Sequence, residues 1–295
     1  FSLLRNSTIH ILNIKSSNIS KWFGYIKQIG PHLREFATDK GDINYSIIIT
    51  ITEYCPYLEK LCCSSTSGLI DNNILHSIAN NCPHLRSLSI LVNYSSYAEA
   101  VADLTAFAEK CPQLEELSLH CPQLTDQSLI GLAQHCSRLK KLKLICSQIT
   151  AASLIALSVR SLPIEELDIA RIPIPSAEIA AQCAHALSRI RELCTQRYDG
   201  NLDQFIHTIQ YMTGLRKLYL YSSEDHLLVP HLLQLLLQGQ CCAGLEILHI
   251  HISSSITSQQ FRALILKCPH LQKFILYSSA GVTEDDVLAL SVHKR

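Results

Sequence analysis

Two imidazoles one residue apart, His249 and His251 in "LHIHI", and thirteen cysteines are the side chains of this sequence best suited to chemistry. Residues two apart on a strand share a face, so an H-x-H pair could offer two nitrogens to a zinc ion. A zinc site needs three or four ligands, and the nearest thiols, Cys241 and Cys242, fall at a turn behind that strand. No metal is therefore expected. The adjacent Cys62 and Cys63 would point to opposite faces of a strand, with Cys63 in the core and Cys62 outside. That arrangement gives a stray reactive thiol rather than a nucleophile activated by a neighbouring base. The sequence contains no P-loop, H-E-x-x-H, G-x-S-x-G or G-x-G-x-x-G, and its acids do not gather as paired carboxylates. No catalytic residue, cofactor or enzymatic activity is expected.

Composition narrows the partners. The 295 residues are 47% apolar, and 25 basic residues balance 25 acidic ones, which favours neither nucleic acid nor a membrane surface. The most apolar run, "HLLVPHLLQLLLQG", is too short and too broken by Pro230 to span a bilayer. The opening "FSLLRNSTIHILNIK" lacks the apolar core of a signal peptide. An odd number of cysteines without any C-x-x-C fits reduced, buried thiols in the cytoplasm or nucleus. The N-x-S/T triplets at Asn6, Asn18, Asn44 and Asn93 carry little weight without secretion.

The elements that would position these residues follow from a repeat. A register L-x-x-L-x-L, with Ile or Phe as substitutes, recurs from Ile9, Leu33, Leu58, Leu85, Leu114, Leu139, Ile164, Ile190, Leu215, Leu245 and Leu271, at steps of 24 to 30 residues. That spacing matches leucine-rich repeats. In "LEELSL", Leu114 to Leu119, the residues Leu114, Leu117 and Leu119 would point inward and Glu116 and Ser118 outward. The following "LTDQSLIGLAQHC" predicts a helix capped by Thr125 or Asp126, with Leu129, Leu132 and Ala133 on its apolar face. "ITAASLIALSV", "ITSQQFRALILKC" and "VTEDDVLALSV" repeat the phrase. Stacked units place strands about 4.8 Å apart while helices about 10 Å wide crowd the other side, so the stack must curve. The expected fold is an α/β leucine-rich-repeat solenoid, a right-handed superhelical horseshoe with parallel strands on the concave face and helices on the convex face. About eleven repeats would make residues 1–295 a single domain, read as a piece of a longer chain because both ends fall inside the pattern.

Cysteine stands three residues before the anchor as Cys55, Cys82, Cys111, Cys136, Cys242 and Cys268, and Pro follows it at 56, 83, 112 and 269. Proline suits the point where a helix has ended and a strand has not begun. The thiol there reads as a small buried apolar group. The nearly complete phrase "CPQLEELSLHCPQLTDQSLIGLAQHC" resembles the cysteine-containing class of leucine-rich repeats. That class is found in F-box proteins, the substrate-recognition subunits of cullin-based (SCF) ubiquitin ligases, and in related mitotic-exit antagonists lacking the F-box. The likeness weakens from about residue 161 to 215, where Ser161, Leu187 and Met212 take the cysteine position. No F-box-like segment occurs; "SNISKWFGYIKQIGPHLREF" reads as a repeat helix leading to Leu33.

The register also names the concave-face residues. Mid-chain they are Glu116, Ser118 and His120, Lys141, Lys143 and Ile145, then Glu166, Asp168 and Ala170, where charges of opposite sign could simply pair across strands. Toward the C-terminus they become Lys217, Tyr219 and Tyr221, Ile247, His249 and His251, then Lys273, Ile275 and Tyr277. Aromatic and apolar side chains on a face where folding does not require them mark a contact surface. The alternative is a loop, tail or further repeat that covers them. The expected partner-binding set is Tyr219, Tyr221, Ile247, His249, His251, Ile275 and Tyr277. Two long steps, containing "VNYSSYAEAVADL" and "YSSEDHLLVPHLL", would emerge as loops, the second carrying Glu224 and Asp225.

The resemblance implies a protein-binding scaffold, first as the substrate-recognition solenoid of an F-box-type SCF ligase subunit, with the adaptor held only through a segment absent here. The rival is an F-box-free regulator that binds and occludes a signalling or cell-cycle protein. A third use, holding a small hormone and an inositol phosphate, needs a denser basic pocket than Lys141 with Lys143. A protein substrate or peptide on the concave face, no nucleic acid, no membrane, and a monomer within a larger complex are the expected associations.

Overall fold

The computed structural model describes residues 9–15, 19–38, 43, 45–66, 72–92, 104–121, 124–145, 149–170, 177–196, 208–221, 240–251 and 257–277. They belong to two compact units, Phe1–Ile149 and Thr150–Arg295. In the first unit, strands β1 (Ile11–Ile14), β2 (Glu35–Thr38), β3 (Lys60–Thr66), β4 (Ser87–Val92), β5 (Glu116–His120) and β6 (Lys141–Ile145) alternate with helices α1 (Phe23–Ile29), α2 (Tyr45–Tyr54), α3 (Asn72–Asn81), α4 (Leu104–Lys110) and α5 (Asp126–His135). Each of these strands is parallel to the next in sequence. The second unit holds α6 (Ala151–Val159), β7 (Glu166–Ala170), α7 (Ala177–Gln182), α8 (Ala184–Leu187), β8 (Glu192–Gln196), β9 (Lys217–Tyr221), β10 (Ile247–His251), α9 (Ser258–Lys267) and β11 (Lys273–Tyr277). Its strands are likewise parallel from β7 through β11. This is the α/β leucine-rich-repeat solenoid expected from the period.

Alternation explains which side is covered. Leu117 and Leu119 of β5 are buried, whereas Glu116 and Ser118 between them are partly exposed. The apolar helix residues Leu129, Leu132 and Ala133 are buried too. In the second unit, Phe261 of α9 meets Phe274 of β11 with ring centroids 5.4 Å apart, so helix and strand close on one core. Each fully buried leucine contributes about 1.5–3 kcal/mol relative to exposure, and a single repeat has no second surface on which to collect it. The helices start where the sequence placed them. Thr125 is the extended N-cap residue of α5. The Thr150 hydroxyl accepts from Ala152 N at 3.2 Å, and Thr257 forms a reciprocal capping box with Gln260.

The strands begin two residues later than the anchors. The Leu114 N–H donates to Cys111 O at 3.2 Å, closing the turn out of α4, so it cannot also enter the sheet. Glu115 and Glu116 then both donate to Arg86 O, at 2.7 and 2.9 Å. The same arrangement recurs at Leu58, Leu85 and Leu139 in the first unit and at Leu215, Leu245 and Leu271 in the second. Each anchor leucine is thus a buried turn residue, and the ladder starts at the third position.

The cysteines belong to this turn. The Cys82 thiol donates to Cys55 O at 3.6 Å, Cys111 to Cys82 O at 4.0 Å, and Cys136 to Cys111 O at 3.6 Å. Every one of those carbonyls also accepts the N–H of its own anchor leucine. The thiol therefore links a turn to the preceding turn, which is more than the apolar filling read from sequence. Burial pushes the thiols of Cys55, Cys82, Cys111 and Cys136 up to about 12. Cys63 is buried and also raised, whereas Cys62 is partly exposed, as alternation required. Gly30 holds the cysteine position of the second repeat, where an added Cβ would lie 2.2 Å from Tyr54 O. Ser161 holds it in the second unit with φ of 51°, the one non-glycine positive φ among the described residues. The unit beginning "VTEDDVLALSV", the two expected loops, Glu224 and Asp225 lie outside the described residues.

Alkylation of the native chain with peptide mapping should label Cys62 before Cys55, Cys82, Cys111 and Cys136, since a buried protonated thiol is a poor nucleophile. Comparable early labelling of the four would contradict the turn assignment. Unfolded thiols ionise near pH 8.5 while these four stay protonated to about 12, so stability falls as pH rises between those values. Gly30→Ala should cost roughly 1–3 kcal/mol by overpacking, read as a lowered Tm. An unchanged Tm would show that Tyr54 O is not held against this turn.

Candidate functional site

The open face of the second unit is set by strand register. Along one row, Glu192, Lys217, Ile247 and Lys273 are successive partners. The next row on the same face is Cys194, Tyr219, His249 and Ile275, and the third is Gln196, Tyr221, His251 and Tyr277. All seven residues expected to bind a partner therefore fall on three adjacent strands, β9, β10 and β11. Neighbouring members of a row are separated by roughly one strand spacing, about 4.8 Å. Of Tyr221, His251 and Tyr277 the described part is the backbone.

The middle row has a defined chemistry. Tyr219 meets His249 edge to face, with ring centroids 5.9 Å apart and planes at 66°, a favoured aromatic geometry. Tyr219, Ile247, His249 and Ile275 are all partly exposed, so each presents apolar surface while its strand neighbours Leu218, Leu248 and Ile250 are buried. Lys217 Nζ donates to Glu192 Oε2 at 2.9 Å. That hydrogen bond, reinforced by the carboxylate's charge, raises the Lys217 pKa. Burial, then the negative charge of Glu192, pushes the Tyr219 phenol above its ordinary range. Tyr219 thus places a neutral phenol beside an imidazole whose Nε2 is buried.

The first unit presents a different surface at the corresponding positions. Its rows read Glu35, Lys60, Ser87, Glu116, Lys141 and Ala37, Cys62, Ser89, Ser118, Lys143. Ser87 donates to Glu116 Oε2 at 3.0 Å, and Lys141 stands 3.7 Å from Glu116. Small and charged side chains pairing across strands agree with the solvated face that the sequence allowed. Among the described residues, no three His, Cys, Asp or Glu side chains gather in a metal-holding group.

Sequence reasoning missed the residues that border the strands' N-terminal edge. The position after each anchor carries a ladder of alternating charge in the first unit: Arg34, Glu59, Arg86, Glu115 and Lys140, with contacts of 3.7, 3.9, 3.3 and 2.9 Å. Lys140's hydrogen bond holds the Glu115 carboxyl below its usual range. Such exposed pairs are worth about 0–1 kcal/mol each, so they tune the edge more than they stabilise it. The position before each anchor adds stacking: Tyr57 lies parallel to His84 at 6.0 Å, and Arg34 sits over the Tyr57 ring at 5.1 Å. From Arg34 to Glu246 the residue after each anchor is charged in the sequence, but pairing between these side chains depends on the distance between repeats, which the sequence does not give.

No family model matches the sequence, and no curated protein matches it. Two solved structures share the fold. Rad7 from yeast, crystallised in complex with Elc1, is 16% identical, with a TM-score of 0.58 covering 94% of this chain and 78% of that one. The leucine-rich repeat-containing protein LegL7 from Legionella pneumophila is 13% identical, with a TM-score of 0.53 covering 96% of this chain and 97% of that one. At these identities the likeness establishes the leucine-rich-repeat fold alone.

In an NMR titration of ring-labelled protein, Tyr219 should ionise at higher pH than an ordinary tyrosine, and Glu192→Gln should bring its transition down. Co-titration of Tyr219 with exposed tyrosines in both proteins would contradict its half-buried place beside Glu192.

Proposed function

We propose that this chain is a protein-binding scaffold whose partner lies on the open face of β9, β10 and β11, held by Tyr219, Tyr221, Ile247, His249, His251, Ile275 and Tyr277. The observation carrying this reading is the row Tyr219, His249, Ile275, which is apolar or aromatic and partly exposed on a face that no described helix covers. Aromatic anchors with a polar tip supply most of the energy in protein interfaces. The absence of charge clustering in the same row favours a peptide segment over a highly charged ligand. Positioning, not bond making, is the mechanism: the scaffold fixes where the partner sits.

The finer reading is a substrate-recognition solenoid of an SCF-type ubiquitin ligase, acting in the cytoplasm or nucleus as a monomer within a larger complex. The cysteine-bearing repeat phrase supports it, and Rad7, similar in fold and crystallised in complex with Elc1, is an example of a protein of this fold held in a complex.

The variant Tyr219→Ala/Tyr221→Ala/Tyr277→Ala should lose partner capture by at least a hundredfold, as the removal of several anchors implies, with its Tm unchanged. Retained capture by the folded variant would remove this face from consideration. Co-purification of a cullin adaptor with the endogenous protein would support the ligase reading, and one-to-one capture with no adaptor and no turnover of the partner would overturn it.

A further inference from the structure

The strands' N-terminal edge changes character between the two units. In the first, the positions before the anchors are filled by large side chains, Tyr57 stacked on His84 and Arg138 bonded to Gln113 at 2.7 Å. In the second, Pro163 and Gly214 hold those positions on either side of Arg189. Gly214 is required there, since a Cβ would lie 2.4 Å from Ser188 O. With bulk removed from both sides, a cleft of about 540 Å³ opens among Pro163, Glu165, Arg189, Arg191, Gly214 and Arg216.

Its charge is also out of pattern. The alternation of acid and base after each anchor breaks before β8 and β9, where Arg191 and Arg216 immediately precede adjacent strands, Arg216 N donating to Arg191 O at 2.8 Å. Each guanidinium is steadied by a neighbour: Arg191 by Glu165, itself part of the cleft wall, at 3.8 Å, Arg216 by Glu246, and Arg189 by Ser161 O at 3.4 Å. Each of these contacts engages one nitrogen of a group that carries five N–H donors in a planar fork. Arg191 and Arg216 are about half exposed.

We infer that this cleft is a receptor for one compact dianion, a phosphorylated side chain on a protein segment. Three guanidinium forks around a small open cleft match the three terminal oxygens and near −2 charge of a phosphoryl group. Glu165 and Glu246 flank the arginines and would repel a run of phosphates, which disfavours nucleic acid and polyanions. An open groove suits a segment laid across it, since small-molecule sites enclose most of their ligand. The inference rests on reading the chain as a protein-binding scaffold, but not on the aromatic face: Arg216 immediately precedes Lys217, two residues before Tyr219 along β9, so one partner segment can reach both.

The test uses the full chain and a fluorescent Ala-Ala-phosphoserine-Ala-Ala peptide, its serine twin, inorganic phosphate and polyphosphate as probes in anisotropy and competition titrations. The phosphopeptide should bind saturably and at least tenfold more tightly than the serine twin and than inorganic phosphate. Arg189→Ala/Arg191→Ala should weaken it tenfold or more, Arg191→Lys by less, and Arg34→Ala/Arg86→Ala not at all, with all four proteins melting alike. Equal binding of the two peptides, an unchanged affinity in both cleft variants, or tighter binding of polyphosphate than phosphopeptide would each overturn the inference. The three-tyrosine variant should bind the phosphopeptide normally, so failure of the aromatic face and failure of the cleft are separately visible.

Discussion

Everything in these units depends on one crowded backbone turn, in which five residues separate the end of a helix such as α4 from the start of the next strand. Three N–H groups have to be satisfied there in a small buried space. The anchor leucine's N–H goes to the carbonyl three residues back, and the next two converge on a carbonyl of the preceding repeat. A buried N–H left unmade costs about 1–3 kcal/mol, so the turn repeats in nearly the same geometry each time. The recurrent cysteine follows from this crowding: it is small enough to fit, and its thiol donates to the carbonyl of the turn beneath.

Repetition of that turn fixes the strand register, and the register makes a surface. Because each strand begins at the same position after its anchor, residues of the same rank form rows across neighbouring strands. A row is then free to vary, since burial constrains only the alternate residues. In the first unit the variation yields paired charges and small side chains; in the second it yields Tyr219, His249 and Ile275 in succession. Function on such a fold is a matter of what the rows carry, because the frame is shared by proteins of very different sequence.

Much of this was legible in the sequence because the repeat oversamples it. The anchors, the buried Leu117 and Leu119, and the outward Cys62 and inward Cys63 all follow from periods of two and 3.6 within a period near 25, and the cap at Thr125 or Asp126 follows from residue types that favour an N-cap. What was not legible came from contacts between repeats. The thiol ladder needs the distance between turns, and the strand start needs to know where Leu114 N–H goes. The arginine cleft needs Gly214 and Pro163 to be seen as absent bulk beside Arg189, although each residue was in plain view. For the partner-binding set, register brings the seven residues onto three strands, while their role rests on chemistry rather than pattern.

The central claim is that the partner is held by the open face of the second unit, and site-specific photo-crosslinking in cells tests it most directly. A photoreactive residue at 219, 247 or 275 would be compared with one at 62, 89 or 118, the corresponding open-face positions of the first unit. The account predicts one shared crosslinked protein from the first three positions and none from the second three. Crosslinking of a protein from 62, 89 and 118 with nothing captured from 219, 247 and 275 would contradict it.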